Sequence, residues 1–348
     1  MPQFKAGDLV RMKLQPAFYT HSVVMLVVKT KTPYAPLLNF SAGHYGWRIH
    51  PKEIVAADGK GEHEKNAIGT GPYIRSEWTQ GSKIVFKKNP DYIDAKNIWF
   101  NRYLVKVMTD AATRNAALKT SQVDWIDSGA LTPADVKSIE GATVRTYENI
   151  SSTTTNTSFN MLNPKFKDYR IRLAFSKAFD RQAYIDQTQQ GAGKWTGIVP
   201  VDFGKMAFSE AEVKAQNVFK YDPAEAKKLF EAAGGKPGMT VEYYYSSNGT
   251  TDGIQTQFIA KAWEQNLGIK TNLKTEDYSI YLPKAYLGLA GPGGGYSDMC
   301  TTGYTIPNWH EHLFAPYLKG GNRNGSNFDD PEFAKMAADL KGTLDDKE

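Results

Sequence analysis

Asn156-Thr-Ser-Phe-Asn160, Asn163-Pro-Lys-Phe-Lys-Asp168 and Tyr169-Arg-Ile-Arg-Leu-Ala-Phe-Ser-Lys-Ala-Phe-Asp180-Arg181 read in that order as a strand, a turn and an amphipathic helix. Phe159 and Met161 fall in a polar–apolar alternation that suits a strand, and Asn163-Pro164 breaks it. A helix is then expected to start near Asp168. Ile171, Ala174, Phe175, Ala178 and Phe179 stand at helical spacing and form one apolar stripe, with Arg170, Arg172, Lys177 and Arg181 expected to face water. Taken alone, the block is a well-packed helix.

Working outward, Gly69-Thr-Gly71-Pro-Tyr73, Lys88-Asn-Pro-Asp-Tyr92 and Ala116-Ala-Leu-Lys-Thr-Ser-Gln-Val-Asp124 stand upstream. Downstream come Tyr221-Asp-Pro-Ala-Glu-Ala-Lys-Lys-Leu-Phe-Glu-Ala-Ala-Gly234, Trp263-Glu-Gln-Asn-Leu-Gly-Ile269, Tyr296-Ser-Asp298 and Asn327-Phe-Asp-Asp-Pro-Glu-Phe333. Together, from about residue 33 to the end, these resemble the family 5 extracellular solute-binding proteins, receptors of bacterial ABC importers for peptides, nickel, opines and oligosaccharides. The resemblance implies an α/β chain of the two-lobed, type II periplasmic-binding-protein kind, located in the periplasm or at the cell surface. It implies capture of a solute and its delivery to ABC permease membrane subunits, with no catalysis and no cofactor. It also implies a division into a remnant of the small lobe over 1–66, part of lobe I over 67–157 and most of lobe II over 158–348, an incomplete version of the family's architecture.

Composition fits this reading. A chain of 348 residues is long for one core and suggests two or three domains. The formal net charge of +5 is small for this length, and no Lys/Arg run is long enough for a nucleic-acid stripe. The longest apolar run, Val23-Val-Met-Leu-Val-Val28, is far below the ~20 residues of a membrane helix and reads as a buried strand. Met1-Pro-Gln-Phe-Lys5 lacks the basic-then-apolar pattern of a secretory signal, so the compartment is implied by the resemblance only. The single cysteine, Cys300, excludes an internal disulfide framework.

Element boundaries are well marked. Asp222-Pro223 places a capping side chain before a proline at the first helical position, Glu225 has capping-box spacing, and Gly234 is expected to end that helix. Thr132-Pro133 with Asp135 and Asp330-Pro331 with Glu332 repeat the start signal; after the latter, Phe333, Met336, Ala337 and Leu340 form an apolar stripe. Strands are expected at Val23–Lys29, Lys83–Phe86, Val123–Ile126, Val241–Tyr245 and Ile269–Leu273, alternating with helices after residue 220 as βαβ units do. Gly288-Leu-Ala-Gly-Pro-Gly-Gly-Gly295 reads as a loop, since it lacks the Lys-Ser/Thr ending of a phosphate cradle.

Catalytic signatures are absent: no Gly-x-Ser-x-Gly elbow, His-Glu-x-x-His pair, Walker lysine or dinucleotide fingerprint occurs. His310-Glu311-His312 is the one dense metal candidate, and it reads first as a polar turn; on a helix the two histidines would point apart. Asp329-Asp330 and Asp345-Asp346 suit caps and solvated ends. A hydrolase on the same scaffold, or a fragment that no longer binds, are the alternatives to a receptor.

A receptor needs aromatic faces and a few orienting polar groups, and the chain carries 19 Tyr and 7 Trp. Tyr304-Thr305-Ile-Pro-Asn308-Trp309, after an expected strand at Tyr296-Ser-Asp298, is the best local candidate, and reads equally as aromatic packing. Ser246, Ser247 and Asn248 follow the expected Val241–Tyr245 strand, where Asn248-Gly249 also suits a plain turn. The resemblance places Asn156 and Thr157 at the crossing between lobes. His44, Tyr45 and Trp47 form a second aromatic–polar group, and Arg323 could meet a ligand carboxylate, although an exposed loop arginine is the plainer reading. The family's peptide receptors place an aspartate shortly after a Gly-aromatic pair to meet a peptide's α-ammonium group. Here Gly303-Tyr304 is followed by Thr305, Ile306 and Pro307, which favours a ligand without a free amine.

Overall fold

The computed structural model describes residues 9–13, 25–29, 69–126, 131–141, 143–147, 153–247, 250–288, 294–305, 309–321 and 323–343, of which 9–13, 25–29, 153, 202, 250–252, 304–305 and 309–312 are described by backbone only. The chain divides into two units, residues 1–146 with 341–348, and residues 147–340.

The first unit contains an antiparallel pair, β1 (Leu9–Lys13) with β2 (Met25–Lys29), in which Leu9 lies opposite Lys29. It also holds a three-stranded antiparallel sheet of β3 (Tyr73–Thr79), β4 (Lys83–Lys88) and β5 (Arg102–Lys106) in that order. The β3–β4 turn is closed by the Ser82 amide donating to the Thr79 carbonyl at 3.0 Å, with Gly81 at a φ of 70° that a side chain would strain. Two helices follow, α1 (Ala111–Lys119) and α2 (Pro133–Ile139). α2 starts with the full capping box that Thr132 and Asp135 promise. The strand expected at Val123–Ile126 does not form. The amides of Gln122 and Val123 both turn back to the Ala117 carbonyl, closing the end of α1 and leaving neither free for a ladder.

The second unit runs β6 (Thr153–Phe159), α3 (Tyr169–Lys177), α4 (Arg181–Thr188), α5 (Glu210–Ala215), α6 (Pro223–Ala232), β7 (Thr240–Ser246), α7 (Thr250–Leu267), β8 (Lys270–Glu276), α8 (Tyr278–Leu287), β9 (Met299–Thr305) and α9 (Trp309–Tyr317). A last helix, α10, spans Pro331–Gly342. The sheet order is β6-β9-β7-β8, with β7 parallel to both β8 and β9, and β6 antiparallel to β9. The alternation after residue 220 is therefore the expected βαβ winding.

The larger core cluster lies on one face of this sheet, where Phe166, Ile171, Phe175, Phe230, Tyr243 and Trp263 are buried together, and a smaller one of Tyr281, Ala285, Tyr296 and Cys300 lies on the other. Phe175 and Trp263 meet edge to face at 4.8 Å, and the Trp263 indole N–H donates to the Phe175 carbonyl at 2.8 Å. The apolar stripe of the opening block is thus what seats α3, and Asp168 caps it by accepting from the Arg170 amide.

Several surface expectations need correction. Lys177 is fully buried, because its ammonium reaches Glu225 at 2.8 Å and the Asn217 side chain at 2.9 Å. Glu225 therefore turns to Lys177; Asp222 alone caps α6, accepting the Glu225 amide at 2.9 Å. Arg181 is half-buried, donating to the Ser176 and Phe219 carbonyls with its guanidinium over the Phe179 and Phe219 rings, and burial lowers its pKa to about 10. β6 stops at Phe159, short of Met161, because the Asn160 side chain accepts the Leu162 amide and bends the chain. Tyr296–Asp298 precede β9 instead of forming a strand, since Asp298 is used as an acceptor hub described below. On α10 Met336 is 56% exposed, so only part of that stripe is buried.

Candidate functional site

In an open sheet with parallel strands, ligand crevices form outside the carboxyl ends of the strands where the winding reverses. Here the chain passes from β7 to β8 on one side and then crosses to β9 on the other, so the reversal falls between β7 and β9. β7 ends at Ser246 and β9 at Thr305, and antiparallel β6 brings its first residues to the same edge, with Thr154 opposite Tyr304 and Thr153 opposite Thr305. The sheet thus gathers Ser246, Tyr304, Thr305 and the start of β6, which the sequence offers as separate candidates.

Asn156 lies two residues into the sheet from that edge, opposite Thr302, and its amide donates to the buried Thr154 hydroxyl at 3.1 Å. Ser246 is buried at the end of β7, and the next amide, of Ser247, donates to the Glu276 carbonyl at 2.8 Å. Thr157 is committed to the interior, its hydroxyl 2.6 Å from the Tyr243 phenol, which also accepts from Thr301 at 3.1 Å. Burial pushes the Tyr243 phenol up to about 12, so it stays a neutral member of this hydroxyl chain. Trp309 opens α9, while Arg323 sits on the loop after it, its guanidinium 5.1 Å over the Tyr286 ring. Tyr45, Trp47, Asn248 and Asn308, with His44, lie outside the described residues. His310, Glu311 and His312 are in helix α9 instead of the turn that the sequence suggests. Among the described residues no three His, Cys, Asp or Glu side chains converge.

A tyrosine group behind the edge escapes sequence reading. The Tyr286 hydroxyl donates to the Gly303 carbonyl at 2.5 Å, and the Tyr281 hydroxyl donates to the Thr301 carbonyl, so α8 holds the middle of strand β9 by its backbone. Tyr244 stacks on Tyr296 at 4.3 Å, and the Tyr296 hydroxyl donates to Glu276 at 2.9 Å, where Lys284 closes an ion pair at 2.8 Å. Burial, then the Glu276 carboxylate, drives the Tyr296 phenol well above its ordinary range.

The opposite edge is tied by Asp298, 2% exposed, whose carboxylate accepts from the Asn163 amide at 2.7 Å, Lys165 at 2.8 Å and the Glu242 backbone N–H at 2.8 Å. Asn160 adds a bond to the Tyr296 carbonyl at 3.0 Å. The turn of the opening block is therefore a clamp that fixes where β9 starts, and hence where its far end emerges. Fixed strand ends that carry the Thr154 and Ser246 hydroxyls and the Asn156 amide offer orienting polar groups of the kind a ligand site needs.

The sequence pattern of the bacterial extracellular solute-binding proteins, family 5 Middle, matches residues 23–326. The chain belongs to that family. Its members bind solutes and are not enzymes, so the hydrolase alternative has no support. Among relatives, the di/tripeptide-binding protein 3 of Pseudomonas aeruginosa is 26% identical over 308 residues, 84% of this chain and 54% of that protein. Protein XP55 of Streptomyces lividans is 28% identical over 61% of this chain and 37% of its own length. The chain thus spans about half the length, 54%, of the first of these relatives. Among solved structures, the periplasmic binding protein DppA of Helicobacter pylori in complex with the peptide STSA shares the fold with a TM-score of 0.75 at 20% identity, over 93% of this chain and 61% of that one. The oligopeptide-binding protein AppA of Bacillus subtilis with a nonapeptide gives 0.75 at 18% identity, over 93% and 65%. These likenesses establish the type II periplasmic-binding-protein fold for this family 5 chain.

Proposed function

We propose that this chain is the solute-binding component of an ABC-type importer, capturing a short peptide and delivering it to the membrane permease subunits. Membership of family 5 over residues 23–326 carries this reading. The peptide class is supported by relatives named for di- and tripeptides and by fold neighbours solved with peptides. They outweigh the missing acid after Gly303-Tyr304, which favours an oligosaccharide or opine-like solute.

On this reading Ser246, Asn156, Tyr304 and Thr305 meet the ligand at the β7/β9 edge, with Asn248, Asn308, Trp309, Tyr45, Trp47, Thr157 and Arg323 as further ligand-binding candidates. An extended peptide would satisfy its own amides and carbonyls against such an edge. The proposal keeps the division at 1–66, 67–157 and 158–348, and a periplasmic or cell-surface site of action. The test is a set of thermal melts with tri- and tetrapeptides, oligosaccharides and opine-like conjugates, since a ligand that binds the native state alone raises the midpoint. Peptides are expected to raise it; a response confined to another class would reassign the solute, and turnover of the ligand would restore an enzyme.

A further inference from the structure

Among the described residues of the first unit, large apolar side chains are exposed at Ile74, Trp78, Tyr103, Leu104, Val107 and Trp125, and one loop adds three more beside cations. Between β4 and β5, Trp99 is 90% exposed and Phe100 70%, with Ile93 at 57%. This loop is firmly built. Lys88 donates its amide to the Asn101 carbonyl at 2.9 Å and its ammonium to the Ile98 carbonyl at 3.0 Å, and buried Asn89 donates to the Gly71 carbonyl at 2.9 Å. The Asp94 carboxylate accepts from the Asn97 amide at 2.8 Å. The two aromatic rings are thus presented to solvent by a fixed scaffold.

Immediately beside them, exposed Lys87 and Arg102 are directly opposite each other across β4 and β5. Like charges in register repel each other; the Glu77 carboxylate of β3, its pKa lowered first by the hydrogen bond from Lys83 and also by Arg102, is the protein's own anion on the Arg102 side. Lys96 is exposed on the same loop, so residues 87–102 carry four cations against the two carboxylates of Asp91 and Asp94.

We infer that this loop is a contact for an anionic bilayer surface, with Trp99 and Phe100 entering the headgroup boundary and Lys87, Arg102 and Lys96 meeting lipid phosphates. Aromatic rings at the interface with flanking cations are what a membrane surface takes up. The core of a protein interface also favours aromatics but excludes lysine, which makes a protein occupant the poorer fit. Such a contact would hold a solute-binding chain near the membrane without a spanning helix.

The test is co-sedimentation of the full chain with vesicles of phosphatidylglycerol and phosphatidylcholine, and with phosphatidylcholine alone. Binding is expected to the anionic vesicles and to weaken with added salt. Each cation near such a surface contributes about fivefold in partition, so Lys87→Gln with Arg102→Gln should reduce binding on the order of tenfold or more. Trp99→Ser with Phe100→Ser should also reduce it, while Lys227→Gln with Lys228→Gln on α6 should not. Unchanged melting curves would show that each variant still folds. Equal affinity for both vesicles, no affinity for either, or an equal loss in the α6 variant would overturn the inference. So would a dimer that the aromatic substitutions dissociate while vesicle binding is absent.

Discussion

Asp298 shows how one side chain can decide a local structure, since three donors converge on a carboxylate that is 2% exposed. Asp298→Ala would take the acceptor from the Glu242 amide and leave Asn163 and Lys165 only their bonds to the Ser297 and Thr240 carbonyls, at a cost of about 2 kcal/mol. Urea denaturation measures this, and a loss under about 1 kcal/mol would remove Asp298 from the role given to it. Cys300 supplies a second residue-level test. It is buried, and burial pushes its thiol up to about 12, so almost no thiolate exists at neutral pH. A thiol reagent should label this single cysteine only at the rate at which the native structure opens, and rapid labelling without denaturant would contradict its placement. Lys177 and Arg181 mark what periodicity hides: both occupy polar positions of the pattern, but partners 38 or more residues away in sequence, Asn217 and Phe219, draw them inward.

Among the elements, α2 isolates the cap chemistry that sequence makes most visible. The Thr132 hydroxyl and the Thr132 amide both donate to the Asp135 carboxylate, at 2.7 and 2.9 Å, holding its pKa below the usual aspartate value. A carboxylate whose folded pKa is depressed contributes stability that is present above its unfolded pKa, about 3.9. That contribution is lost as the pH falls through the lower, folded value. Thr132→Ala should cost about 1 kcal/mol at pH 7, with the difference from the parent chain shrinking below about pH 4 as the carboxyl protonates. Melts at pH 7 and pH 3 check it; a gap that stays constant would mean the cap carries no charge-dependent part. Caps at Thr132, Asp168 and Asp222 were legible because they depend on neighbours three residues apart at most. The strand expected at Val123–Ile126 failed because helix closure at Ala117 competes for the same amides, which composition does not reveal.

At the scale of the whole molecule, the second unit follows from the winding that the opening block begins: α3 covers one face of β6-β9-β7-β8, and the reversal between β7 and β9 makes the edge. Phe175→Ala, which removes the ring touching Phe166, Phe230 and Trp263, should cost about 3–5 kcal/mol in the unfolding of that unit. The family and the parallel winding could be read from sequence, because turn residues and apolar periods repeat in a recognisable order. The tyrosine struts of α8 could not, because their hydroxyls bind backbone carbonyls of a strand that only the fold brings near. The proposed capture of a peptide at the β7/β9 edge is open to calorimetric titration of the purified chain with a tripeptide, alongside the Asn156→Ala variant. Saturable one-to-one binding by the parent chain is expected, reduced tenfold or more in the variant, about 1.4 kcal/mol. Binding that Asn156→Ala leaves unchanged would move the site elsewhere, and no heat with any short peptide would contradict peptide capture by this chain.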